Sequence, residues 1–230
     1  GDTATGRDLW PVVKRQVEVA REALDPAGIY DNALKPSWLV FDWKSDLNRD
    51  ASIQGLMTFA VDRSYELARM LGTEKEVSDW PKLTARMKSA ARNAYYDRKS
   101  GLVLSGPDKQ ASYLSQVWMV LSGTLSVKEG ARALSAIMES PDACRIGSPY
   151  AYHYFIEALI QCGLEEQART ALIDYWGGMV HKGADTFWEV YDPEDDFKSP
   201  YGFFPINSYC HAWSCTPTYF LRKFYMDNGK

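Results

Sequence analysis

The stretch LSGTLSVKEG, residues 121–130, carries the signals for ending one helix and starting the next. Gly123 follows an apolar run, and glycine readily takes the left-handed conformation found at helix C-termini. Ser126 and Glu129 have the spacing of a capping box at a helix N-terminus. Because so few residues separate these signals, the stretch predicts two antiparallel helices joined by a short turn.

The same punctuation recurs at two other places in the chain. Gly72 precedes Thr73 and Glu76, which again have capping-box spacing, and Gly163 lies between two more amphipathic stretches. Three helical hairpins are therefore predicted: 50–71 with 74–95, 111–122 with 126–138, and 149–162 with 165–176.

Two further helices complete the predicted set of eight. Segment 9–24 has an apolar face, with Pro11 in its expected first turn and Asp8 just before it. A last helix is expected over 207–225, loosened at Pro217. Since no segment alternates long enough to build a sheet, the sequence predicts an all-α fold.

Composition restricts the classes of function. The chain has 230 residues and a net charge of −4, without the basic patch that nucleic acids require. No apolar run reaches the roughly 18 residues of a membrane span. The four cysteines and three histidines lack metal-binding spacing, so no metal or cofactor is expected, and the cysteines are predicted to be buried free thiols.

The first candidate site is GADTFWEVYDP, residues 183–193, which follows neither helix nor strand periodicity. It places Trp188 beside Glu189 in a long connection between helices. Carboxylates that transfer protons need a cleft, and aromatic rings exclude water and stack on sugars. The alternative is a solvated acidic loop, which is the usual meaning of a charge run.

The second candidate is PSWLVFDWKSD, residues 36–46, where Trp38, Asp42 and Trp43 lie close together in the chain. Two indoles with an aspartate between them would suit the wall of a pyranose site. The alternative is a loop that its aromatic residues pin to the core.

The third candidate is INSYCHAWSCTPTYFL, residues 206–221. On the predicted last helix, Asn207, His211 and Ser214 share one face at spacings of four and three. Asn207 and His211 could then point together into a site. A hydrogen-bonded core histidine is the alternative interpretation of His211.

Taken in order, these stretches resemble the catalytic domain of bacterial alpha-L-rhamnosidases, glycoside hydrolase family 78. SQVWMVLSG, YHYFIEALIQCGLEEQARTAL, YWGGMVHKGADTFWEVYDP and NSYCHAWSCTPTYFL carry the resemblance, which covers about residues 1–225. Its most specific part is the pattern formed by Trp176, Met179, Gly183, Ala184, Thr186, Trp188 and Glu189.

The resemblance implies an (α/α)6 barrel of six helical hairpins with the site at one mouth. It implies inverting hydrolysis of terminal alpha-L-rhamnose, without a cofactor and with Glu189 as the general base. The implied substrate-binding residues are Trp188, Asn207 and His211, together with the loop residues Trp38, Asp42 and Trp43.

The chain also departs from the family pattern. The acidic motif that holds the family's general acid lies upstream of the matching region and has no counterpart here. Eight helices out of twelve indicate one partial domain over residues 1–230 that lacks N-terminal helices. An inactive isolated chain would be compatible with this, and uncovered helix faces would favour self-association, which sedimentation can test.

Two alternatives to a rhamnosidase stay open at this point. One is a non-catalytic helical module that binds carbohydrate or serves as a scaffold. The other is a six-hairpin glycosidase with a different sugar specificity. The sequence is compatible with a cytoplasmic, periplasmic or secreted location.

Overall fold

The computed structural model describes residues 2–36 and 38–226. Contacts divide the chain into two compact units, here called unit 1 (Gly1–Val40 and Asn48–Cys144) and unit 2 (Phe41–Leu47 and Arg145–Lys230). Both units are built mainly from helices, so the predicted all-α class is confirmed. The expected single domain over residues 1–230 extends beyond the described residues and stays a prediction, as does self-association.

The described residues of unit 1 form five α-helices and one small sheet. The helices are α1 (Thr3–Glu22), α2 (Asp50–Leu71), α3 (Trp80–Tyr95), α4 (Tyr113–Leu121) and α5 (Val127–Glu139). The antiparallel strands are β1 (Tyr96–Asp97), β2 (Leu102–Ser105) and β3 (Gln110–Ala111), in the order β1-β2-β3. This sheet corrects the expectation of no strands; its strands are too short to show a period of two in the sequence.

Unit 2 contains the remaining helices. They are α6 (Pro149–Gln161), α7 (Glu165–Leu172), α8 (Gly178–His181) and α9 (Thr216–Phe220). A π-helical segment, Ile173–Gly177, joins α7 to α8, and a second one, Leu221–Tyr225, follows α9. Between α8 and α9 the chain is irregular apart from two short 3₁₀ turns, Phe204–Ile206 and Ala212–Ser214.

The predicted helix-ending glycines are confirmed. Gly72, Gly123 and Gly163 have φ of 72°, 66° and 73°, a left-handed conformation that side chains with a Cβ disfavour. The capping box after Gly123 is also present: Ser126 accepts from the backbone N–H of Glu129, whose carboxylate accepts from the N–H of Ser126. The cap is local, and Arg92 of α3 adds a tertiary anchor by donating to the Thr124 carbonyl at 2.9 Å and to the Glu129 carboxylate.

The capping box predicted at Thr73 is wrong. Thr73 makes no side-chain cap, and the residues after it form a 3₁₀ turn, Glu74–Val77, before α3 begins. Glu76 binds α1 instead, accepting from Trp10 Nε1 at 3.3 Å and from Lys14 Nζ at 2.9 Å. A tertiary partner thus outcompetes the local cap.

The start of the first helix also differs from the prediction. α1 begins at Thr3, where Asp2 accepts from the backbone N–H of Thr5, rather than near residue 9. Pro11 therefore lies inside α1 and not in its first turn. The cap at Asp2 takes the role that the sequence assigned to Asp8.

The core of unit 1 depends on a close approach between α2 and α4. A Cβ built on Gly55 would lie 2.7 Å from Trp118 Cβ and 2.8 Å from the Trp118 carbonyl carbon. A larger residue at this position would separate the two helices. Trp118 is itself buried, and its ring packs on Phe59.

Two buried glutamines tie the connecting segments of unit 1 to these helices. Gln54 of α2 accepts from Tyr30 N–H at 2.7 Å and donates to the Met87 carbonyl at 3.1 Å. Gln116 of α4 bonds both backbone groups of Val103 on β2 at 2.8 Å. Because buried amides must be paired, each glutamine fixes one register between its partners.

Free cysteines are found as predicted, although only Cys144 and Cys162 are buried, whereas Cys210 and Cys215 are exposed. In the described part of the chain, no helix combines the length and the apolar character needed to cross a bilayer.

Candidate active site around Glu189

Glu189 lies in the irregular connection between α8 and α9, yet its side chain is only 4% exposed. The Tyr201 hydroxyl donates to its Oε1, and the backbone N–H of Ser208 donates to Oε2 at 2.9 Å. The backbone N–H of Glu189 in turn donates to the Ser208 carbonyl at 2.9 Å. Since a buried carboxylate is costly without such partners, Glu189 is not part of a solvated acidic loop.

Aromatic residues surround this carboxylate. Trp213 Nε1 donates to the Glu189 carbonyl at 3.0 Å. The Trp43 ring lies with its centroid 5.5 Å from that of Trp213 and 5.7 Å from that of Tyr201. Trp43, a predicted site residue, is therefore brought to Glu189 through two rings that the sequence interpretation did not single out.

His211 is the predicted site residue with a recorded contact to the Glu189 carboxylate. Its Nδ1 lies 3.9 Å from Oε2, which is too long for a hydrogen bond but close enough for ion pairing when the ring is protonated. The His211 ring packs on Trp213 with centroids 4.7 Å apart, and its backbone N–H donates to the Phe187 carbonyl at 2.8 Å.

The predicted last helix over 207–225 is wrong at its beginning. The residues from 207 to 211 are not helical, and α9 begins at Thr216 with Pro217 in its first turn, where proline is favourable. The His211 N–H, which a helix from residue 207 would use internally, donates instead to the Phe187 carbonyl, and the Ser208 N–H donates to Glu189. Asn207 and His211 therefore do not share a helix face.

Trp188 and Asn207 line a cavity of about 220 Å³ within unit 2. The Trp188 ring packs edge-on against Tyr209 with centroids 5.5 Å apart, and Asn207 Nδ2 donates to the Lys198 carbonyl at 2.6 Å. The sequence predicts that the Trp188 indole packs beside the Glu189 side chain. In the structure, Trp188 contacts the rings of Tyr191 and Tyr209, which also line this cavity. Trp213 and Tyr201 contact Glu189.

Two acidic residues of this connection are ion-paired at the rim of the same cavity. Lys182 Nζ bonds Asp196 and the Pro193 carbonyl, and the contact with Asp196 raises the pKa of Lys182. Lys198 Nζ lies 3.7 Å from an Asp192 carboxylate oxygen. These two ion pairs account for part of the acidic run.

Asp42 acts as a structural anchor in unit 2. It is 6% exposed and accepts from the backbone N–H groups of Gly147 at 2.7 Å and Trp43 at 2.9 Å, and the Ser148 side chain also bonds it. Burial raises the pKa of this carboxyl despite these donors. Asp42 thus holds the 41–47 loop at the start of α6 and orients Trp43.

Trp38 belongs to unit 1, whereas Asp42 and Trp43 belong to unit 2. Its side chain is exposed to 86% and borders an open cleft of about 580 Å³. Tyr30, Asp31, Asp50 and Tyr95 also line this cleft, and burial raises the pKa of Tyr95 to about 12.

Three contributors to the Glu189 environment lack any signal in the sequence pattern. Tyr201 stands in an aperiodic stretch, and Trp213 is one of several aromatic residues near the last helix. Ser208 contributes a backbone N–H, which every non-proline residue has. Over residues 2–36 and 38–226, no group of three or more metal-ligating side chains is found.

The chain is built from helical hairpins, and an irregular loop carries a buried carboxylate beside aromatic rings. This combination is typical of all-helical domains of the carbohydrate-active type. Residues 1–224 match the model of the bacterial alpha-L-rhamnosidase 6 hairpin glycosidase domain, and the chain belongs to this family. The fold class implied by the sequence resemblance is thereby confirmed.

Solved structures agree with this assignment. A rhamnosidase from Klebsiella oxytoca with rhamnose bound is 39% identical, with a TM-score of 0.89 over 98% of this chain. A GH78 family rhamnosidase of Bacillus sp. GL1 is 22% identical with a TM-score of 0.81 over 97% of this chain, and supports the fold alone. The chain spans 44% and 24% of their lengths, respectively. No curated protein matches it significantly.

Proposed function

We propose that this chain supplies the general base, Glu189, of an alpha-L-rhamnosidase that hydrolyses terminal alpha-L-rhamnosides with inversion. The observation that carries the proposal is the buried Glu189 carboxylate, bonded by Tyr201 and the Ser208 N–H beside Trp213. The 39% identity to a rhamnosidase with rhamnose bound supports the choice of sugar.

The chemistry needs two carboxyl groups with different tasks. The base takes a proton from water as the water oxygen attacks the anomeric carbon, while an acid protonates the departing glycosidic oxygen. In inverting enzymes the two groups lie about 6.5–9.5 Å apart to leave room for that water. We propose that the acid belongs to the portion of the rhamnosidase that this chain does not match, since the chain spans less than half of its relatives.

The other site residues are proposed to bind the sugar. His211, 3.9 Å from Glu189 Oε2, can donate to a sugar hydroxyl beside the attacking water. Trp43 offers a ring for stacking, held in place by Asp42. Trp188 and Asn207 are proposed to contact substrate within the cavity that they line, and Trp38 within the cleft of unit 1.

The decisive variant is Glu189→Gln in the full-length protein that contains this chain, assayed on an aryl alpha-L-rhamnoside. Loss of the base should lower kcat about 10²- to 10⁴-fold. The matched control is Glu194→Gln, an exposed glutamate of the same connection, which should keep the parent activity. A Glu189→Gln enzyme as active as the control would contradict the role of Glu189.

A second experiment distinguishes a base from a residue that only binds. Azide is a nucleophile that needs no deprotonation, so it should restore turnover of Glu189→Ala and yield the beta-rhamnosyl azide, with inverted configuration. If azide leaves the variant inactive while rhamnose still binds, Glu189 would be a residue that positions the substrate and not the base.

A further inference from the structure

We infer that Tyr201 is a positioning residue for Glu189. The Tyr201 hydroxyl holds the Glu189 carboxylate in the orientation that meets the attacking water. This inference rests on the proposed role of Glu189 as the base. Tyr201 is the one side chain with a recorded hydrogen bond to that carboxylate in the described part of the chain.

The two donors leave the carboxylate with one defined orientation. The Tyr201 hydroxyl occupies one acceptor direction on Oε1, and the Ser208 N–H occupies one on Oε2. Since each carboxylate oxygen can accept about two hydrogen bonds, one direction stays available on each oxygen. With its plane fixed from both sides, Glu189 can accept a water proton without first losing side-chain freedom.

Tyr201 is itself held where it can perform this task. Its ring packs edge-on against Trp43, and its backbone N–H donates to Ser199 Oγ at 3.2 Å. The Tyr201 residue is 49% exposed, whereas the Glu189 side chain to which it donates is 4% exposed. Tyr201 therefore lies between the buried carboxylate and the surface.

Electrostatics gives the contact a measurable signature. Donation to the Glu189 carboxylate raises the pKa of Tyr201, because ionising the phenol would remove the donated proton next to a negative charge. Conversely, a hydroxyl that donates to a carboxylate favours the charged form, which a base needs. The titratable groups that face Glu189 among the described residues are Tyr201 and His211.

The test is Tyr201→Phe in the full-length rhamnosidase, which keeps the ring on Trp43 and removes only the hydroxyl. We expect kcat to fall about 10- to 100-fold, as for a lost hydrogen bond to a charged group, with KM changed by less than about threefold.

Tyr219→Phe is the matched control. Tyr219 is 42% exposed, and its hydroxyl accepts a hydrogen bond from Lys223 Nζ. This control should retain the parent kcat and KM. If Tyr201→Phe behaves like Tyr219→Phe, or raises KM alone, Tyr201 does not position the base.

A spectroscopic readout in the same full-length protein is independent of turnover. Phenolate absorption near 295 nm should show one high-pH ionisation fewer in Tyr201→Phe. In Glu189→Gln that ionisation should move to lower pH, and an unmoved titration would overturn the contact. An active Glu189→Gln enzyme would instead refute the base itself, so the two failures are distinguishable.

Discussion

The turn 122–126 and the segment 182–215 both connect helices, yet they satisfy their polar groups over very different distances along the chain. In the turn, Ser126 and Glu129 cap each other across three residues. In the segment, Glu189 is bonded by residues 12 and 19 positions away, and its carbonyl by Trp213, 24 positions away. The turn thus combines a local cap with one tertiary anchor, Arg92, which donates to the Thr124 carbonyl and the Glu129 carboxylate, whereas the segment depends wholly on the fold around it.

This difference separates scaffold from site. The helical hairpins gain their stability from burial of apolar faces, which is large and tolerant of detail. The connection that carries Glu189 is held by single hydrogen bonds and ring contacts, each of which fixes a geometry. Substitutions in the helical hairpins should affect the free energy of unfolding, and substitutions in the connection that carries Glu189 should mainly affect the reaction.

Two tryptophans test this division with the largest expected effect on stability. Trp118→Ala removes a buried ring between α2 and α4 and should cost about 3–5 kcal/mol of unfolding free energy. Trp188→Ala removes a half-buried ring of the segment and should cost about 1–2 kcal/mol, because much of its surface already contacts solvent. Urea unfolding followed by circular dichroism measures both.

Equal losses of unfolding free energy for the two variants would contradict the division into scaffold and site, because the segment would then be packed as tightly as the helical core. A kcat that falls only in Trp188→Ala would support the division.

One threonine and one serine show why the local sequence predicts a helix cap correctly in one place and wrongly in another. Ser126 and Thr73 both follow a stop glycine and both have a glutamate three residues later. Ser126 forms the box although Glu129 also bonds Arg92 of α3, whereas Glu76 bonds α1 and the Thr73 hydroxyl donates to the Ala68 carbonyl at 3.4 Å. The motif is the same and both glutamates have tertiary partners, so the local pattern does not contain what decides between cap and no cap.

Alanine substitution at these two positions is the next test. Ser126→Ala should cost about 1 kcal/mol, the usual value of an N-cap, because the Glu129 N–H loses its acceptor. Thr73→Ala should cost less than about 0.5 kcal/mol, since Thr73 makes no cap. Chemical denaturation of the two variants side by side gives both values. A larger loss at Thr73 than at Ser126 would contradict the assigned caps.

Sequence reasoning reached the fold and part of the site. Glycine punctuation and apolar periodicity predicted the hairpins, since both signals act within one or two helical turns. Glu189, Trp43 and His211 were selected by residue type and by resemblance, and the structure gathers them in unit 2. Their roles in the reaction stay proposals.

The rest of the site was out of reach for physical reasons. Tyr201 and Ser208 meet Glu189 only because an aperiodic chain returns on itself, and nothing in their neighbours encodes that return. The helix predicted from Asn207 is absent where the His211 N–H, which that helix would pair internally, donates to the Phe187 carbonyl instead. A prediction from residue spacing requires a regular helix or strand, and residues 207–211 form neither.

Asp42 lies between these two extremes and gives the smallest predicted effect. Its carboxylate bonds the adjacent Trp43 N–H and also that of Gly147, 105 residues away. Burial raises its pKa, so the folded chain binds this proton more tightly than the unfolded chain. The stability contributed by the protonated carboxyl is complete below the unfolded pKa of about 3.8 and is lost as pH rises through the higher folded pKa.

The measurement is the difference in unfolding free energy between the parent chain and Asp42→Asn as a function of pH. Asparagine does not titrate, and the other groups cancel in the difference. The parent should lose stability relative to the variant as pH rises through this window, and the difference should be constant above it. A parent that gains stability over the same range would show that the donors of Trp43, Gly147 and Ser148 outweigh burial, and Asp42 would then belong with the locally satisfied turns.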